Sequence, residues 1–70
     1  MSQWPSTQAS RVFAALLRMG WIVKRTTGSH RVLCRDGRPN VVFAFHERDE
    51  IGPRMLARLA NVTGLTPEDI

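Results

Sequence analysis

The stretch WIVKRTTGSHRVLCRDGRPNVVFAF, Trp21 to Phe45, decides the fold. Its apolar residues recur with a period of two, and two glycine-bearing turns interrupt them, which is the pattern of short strands. Trp21 and Val23 alternate with Ile22 and Lys24, predicting a first strand to about Thr26. Thr27-Gly28-Ser29 makes a turn, and His30 to Arg35 predicts a second strand. In that strand Val32 and Cys34 form the core-facing side, with Arg31, Leu33 and Arg35 on the other. Asp36-Gly37 is a strong hairpin signal, and Asn40 to Phe45 predicts a third strand with Val41, Phe43 and Phe45 on one face. Links this short leave only an antiparallel meander.

On either side of the strands the period lengthens to that of a helix. Val12, Phe13, Leu16 and Leu17 make one apolar stripe, alanines at 9, 14 and 15 favour helix, and Gly20 ends it. Ser6 or Thr7 is the expected cap, after a frayed lead from Met1 to Pro5. Downstream, His46 to Gly52 is a polar connection, and Pro53 suits the first position of a second helix. Met55, Leu56, Leu59 and Val62 form its stripe, Gly64 stops it, and Thr66-Pro67 can start one more turn. The order is α-β-β-β-α. Two helices with one apolar stripe each pack most economically on one face of the three-stranded antiparallel sheet. This is an α+β architecture like that of double-stranded-RNA-binding domains.

Seventy residues bound what such a fold can do. They make one domain, residues 1–70 with a core of about 6–66, and leave no room for a dinucleotide-binding unit or a barrel. Cys34 has no partner for a disulfide, and with His30 and His46 it lacks any paired zinc-ligand spacing. No metal or other cofactor is expected. With no membrane-length apolar run, no signal-like amino terminus and one free thiol, the chain reads as cytoplasmic.

The formal charge of +4 points to a polyanionic partner, and it is segregated. Residues 1–46 hold Arg11, Arg18, Lys24, Arg25, Arg31, Arg35 and Arg38 against Asp36 alone, a balance of +6. Residues 47–70 hold Arg48, Arg54 and Arg58 against Glu47, Asp49, Glu50, Glu68 and Asp69, a balance of −2.

The most pointed chemistry lies in Lys24-Arg25-Thr26-Thr27-Gly28-Ser29-His30-Arg31, a tight turn that delivers a histidine between bases. Gly28 permits close backbone approach, Ser29 can bind a phosphate oxygen or orient the imidazole, and Lys24, Arg25 and Arg31 can hold a phosphodiester. A neutral imidazole beside an RNA backbone can take the 2′-hydroxyl proton and needs no metal to do so. The plainer reading of His30 is a hydrogen-bonded turn residue, and its strand parity places it with Val32 and Cys34 on the core side. His46 is a candidate second acid or base, or simply a strand-end residue bonded to its own loop. Cys34 reads as a core filler.

Gly20-Trp21, Gly28-Ser29-His30, His46, Ile51-Gly52-Pro53-Arg54-Met55-Leu56 and Gly64-Leu65 occur in an order and spacing that resembles HicA-type toxins. The resemblance spans about residues 10–66, and the Gly-Ser-His triplet is its specific part. It implies a messenger-RNA interferase of a type II toxin–antitoxin pair, cleaving RNA without a cofactor and neutralised by a HicB-like antitoxin. The triplet histidine, catalytic in that family, matches His30. The chain departs from the family's usual pattern at Ala44, Asp49, Gly52 and Arg54. Two other functions share the same basic face: a non-catalytic RNA-binding module, and a toxin-fold protein that works only as an interaction partner.

Overall fold

Leu33, Val41 and Phe43 form the floor of the core, and the register of their two strands explains why. The computed structural model describes residues 4–70. In chain order the elements are β1 (Thr7–Gln8), α1 (Ala9–Arg18), β2 (Ile22–Thr27), β3 (His30–Arg35), β4 (Arg38–Phe43), β5 (Glu50–Ile51) and α2 (Pro53–Thr63). A 3₁₀ turn at Pro67–Asp69 follows. Strands β2, β3 and β4 make an antiparallel sheet in that order. Val12 and Leu16 of α1 and Leu56 and Leu59 of α2 join Leu33, Val41 and Phe43 in one buried cluster, so both helices cover the same sheet face. The α+β fold with order α-β-β-β-α is therefore as the sequence predicts.

The second strand's faces are reversed from expectation. Leu33 stands opposite Val41 and Arg31 opposite Phe43, so the odd positions of β3 face the helices. Leu33 is fully buried, while Val32 and Cys34 lie half-buried on the uncovered face. Counting apolar residues favours Val32 and Cys34, but a one-residue change of parity moves a whole strand's side chains, and pairing with β4 fixes it. The arginines tolerate the inner face because they leave it at their tips. The Arg31 guanidinium lies 4.6 Å from the Phe13 ring centroid. Arg35 Nε lies 3.6 Å from where a Cβ on Gly20 would stand, at the end of α1.

The start of α1 is also held differently. Neither Ser6 nor Thr7 caps it: Gln8 occupies the cap position without a side-chain bond, and Thr7 donates its hydroxyl to Pro5 O at 3.0 Å. The first helical amides are met from across the fold, Ala9 N donating to Asp49 O at 2.7 Å and Ser10 N to Glu47 O at 3.3 Å. The same approach lets β1 pair with β5, Thr7 facing Ile51. The expected lead is only partly described, since Met1–Gln3 lie outside the described residues, and Trp4 packs against the core. Gly52 caps α2, Pro53 takes its first turn, and Gly64 ends it at φ +80°. The helix stripes are narrower than predicted, because Leu17, Met55 and Val62 are exposed and Thr63 is buried in their stead, its hydroxyl on Leu59 O at 2.7 Å.

Candidate nucleic-acid interface

The sheet face turned away from the helices is uncovered, and its residues follow from the β2–β3–β4 register. Thr27 pairs with His30, Arg25 with Val32, Ile22 with Cys34, and Val32 with Val42. His30 is the first residue of β3, exposed and directly after the Gly28-Ser29 turn. The Gly28 φ of +59° suits the first central position of a two-residue hairpin turn closed by Thr27 and His30. Nothing lies within 4 Å of a Cβ placed on Gly28, so the demand for glycine there is conformational, not steric. Since β3 presents its odd residues to the core, His30 shares the open face with Val32 and Cys34. The parity that would have buried it is the one the structure reverses.

A bulge in β2 builds the charge of this face. Pairing shifts between Val23 and Arg25, leaving Lys24 as the extra residue. In a regular strand Lys24 and Arg25 would point to opposite faces. Here both line one shallow groove of about 230 Å³ with Val32 and Asn40. Two consecutive cations are thereby presented on the face of His30.

Four of the other five bases of the amino-terminal segment are engaged elsewhere. Arg31 faces the helices over Phe13, so it is not brought together with His30. Arg35 lies against Gly20, and Arg38 Nη2 is 3.2 Å from a Cβ built on Gly64. Arg18 Nη2 donates to Asp69 O at 2.9 Å. Arg18, Arg35 and Arg38 thus sit near helix or turn carboxyl ends, where a cation is favourable.

His46 is exposed beyond the end of β4. Its backbone is pinned by Asp49: His46 N donates to Asp49 Oδ2 at 2.9 Å, and Asp49 N to His46 O at 3.0 Å. Neither His30 nor His46 makes a side-chain hydrogen bond among the described residues. Ser29 is half-buried beside Gly28. Sequence reading placed Thr27 in the turn and Val32 on the face of His30, but did not anticipate Asn40 or Val42 beside the groove. Aligning Leu33 with Val41 would have found Val42.

No group of three or more acidic, histidine or cysteine residues clusters as a metal site among the described residues. Likewise no helix among them is long and apolar enough to cross a membrane. No curated protein and no solved structure matches the chain significantly. A family model described as the HicA toxin of bacterial toxin–antitoxin systems does match, over residues 9–65, which takes in α1, the whole sheet and α2. With most of the chain covered, including the Gly28-Ser29-His30 turn, the protein belongs to the HicA toxin family of bacterial toxin–antitoxin systems.

Proposed function

We propose that this toxin is an endoribonuclease acting on messenger RNA in the cytoplasm without a metal or cofactor, with His30 as catalytic base. The observation that carries the reading is an exposed His30 at a glycine turn, on an uncovered sheet face that also presents Lys24 and Arg25. The neutral imidazole takes the proton of an RNA 2′-hydroxyl, and that oxygen attacks the adjacent phosphorus. The O2′–P bond forms as the P–O5′ bond breaks, leaving a 2′,3′-cyclic phosphate and a 5′-hydroxyl. The departing oxygen takes its proton from solvent, or from His46 in the role of paired acid. Lys24 and Arg25 hold the flanking phosphates, while Gly28 and Ser29 shape the turn beneath the reacting one. Arg31 contributes charge from the opposite face. A HicB-like antitoxin neutralises the toxin by covering the His30 face, whose exposed Ile22 and Val42 offer apolar surface for it.

His30→Ala expressed beside the wild type tests the assignment. Loss of a positioned base typically costs about 10²–10⁴-fold, so the variant should cease to arrest growth or degrade messenger RNA. Equal toxicity of the two would remove His30 from the mechanism. His46→Ala should act more weakly, and an equal loss would promote it to the paired acid. An intact RNA shifted in a gel but never cut would favour a binding module instead.

A further inference from the structure

A second recess lies on the helix side of the sheet, at the margin where His30 stands. Phe13, Phe43 and Phe45 wall it, with Arg31, Glu47 and Ser10 at its polar edge. Its rings pack on one another: Phe13 and Phe43 centroids are 5.5 Å apart and tilted by 43°, and Phe43 and Phe45 are 5.1 Å apart and edge-on at 66°. Its volume is about 160 Å³. That is below the roughly 300 Å³ at which pockets for drug-sized ligands begin, and suits one planar ring system better than a whole nucleotide.

The polar groups narrow the occupant. Arg31 is half-buried, and its guanidinium rests on the Phe13 ring, yet it donates no hydrogen bond among the described residues. The Glu47 carboxylate has no partner there either, and the two side chains line one recess without forming an ion pair. The recess therefore offers a planar fork of donors and a pair of acceptors beside aromatic side chains. Guanine answers both: O6 and N7 accept from a guanidinium, while N1–H and the 2-amino group donate to a carboxylate. Adenine has a single donor group, and uracil has no amino group.

We infer that this recess is a guanine-binding subsite, which holds one base of the RNA while the neighbouring phosphodiester lies across the sheet margin at His30. The inference rests on the ribonuclease reading for its role in cleavage. Arg31 follows His30 directly, about 3.3 Å along the strand, so one strand of RNA crossing that margin reaches both faces.

The experiment is an NMR titration of the isotope-labelled full chain with GMP, AMP, CMP and UMP. GMP should shift Phe13, Arg31, Phe45 and Glu47 and bind at least tenfold more tightly than the other three. Glu47→Gln, an exposed change that leaves the core intact, should bring GMP down to the level of AMP. Shifts confined to Lys24 and Arg25, equal affinity for all four nucleotides, or unchanged discrimination in Glu47→Gln would each overturn the subsite. Mapping cuts on a mixed-sequence RNA separates the two claims. Cleavage by the wild type without GMP discrimination refutes the subsite alone, and GMP bound in the recess by a chain that cuts no RNA refutes the ribonuclease reading alone.

Discussion

His30 gains its exposure from a neighbour three positions on. Leu33 is the residue β3 gives to the core, and alternation then turns His30 outward with Val32 and Cys34. At the other end of the same sheet Trp21 shows the opposite fate. It is 2% exposed, and its indole Nε1 has no acceptor among the described residues. A buried donor left unpaired costs about 1–3 kcal/mol, which works against the large area the ring buries. Trp21→Phe deletes that donor while keeping most of the apolar contact, so its stability should lie within about 1 kcal/mol of wild type. Trp21→Ala should lose about 3–5 kcal/mol. Urea denaturation of the two variants checks the difference, and equal losses would show that the indole N–H is satisfied in solution.

Elements were legible where their signals are local. The Gly28-Ser29 and Asp36-Gly37 turns, Pro53 at the start of α2 and Gly64 at its end each act within a few residues, and each is where the sequence predicts it. The start of α1, the β1–β5 pairing and the faces of β3 were not legible, because each depends on residues distant in the chain or on a partner strand. The site divides the same way. His30 follows from its turn, whereas the separation of Arg25 from Arg31 depends on the Lys24 bulge and the β3 register. Two changes test these elements. Gly64→Ala must adopt φ near +80° and press on Arg38, so it should cost about 1–2 kcal/mol in a thermal or denaturant melt. Deleting Lys24 removes the extra residue while leaving Val23 opposite Leu33 and Arg25 opposite Val32. The shortened strand should fold and keep Arg25 outward, while RNA binding weakens by the contribution of one cation. A collapsed fold would show that the bulge is needed to close the sheet.

Over the whole molecule, charge and usable charge differ. The amino-terminal segment carries +6, but Arg18, Arg35 and Arg38 lie near helix or turn carboxyl ends, and Arg31 faces the helices. On the His30 face the cations are Lys24 and Arg25. The acidic loop at 47–50 is held against the start of α1, away from that face. The sheet thus keeps one weakly charged, partly apolar open side, and salt dependence measures how weakly. Each phosphate contact to a single strand contributes about −0.7 to the slope of log K against log salt. Two contacts give a slope of about −1.4, whereas engagement of all seven bases of the segment would give about −5. Binding of a short unstructured RNA to His30→Ala, followed by fluorescence anisotropy across a salt series, reads this slope. A value near −1.4 that falls by about 0.7 on deletion of Lys24 supports the open sheet face as the RNA surface. A slope near −5 would mean that the arginines at the helix ends leave their positions to meet the RNA, and that binding refolds the margin of the sheet.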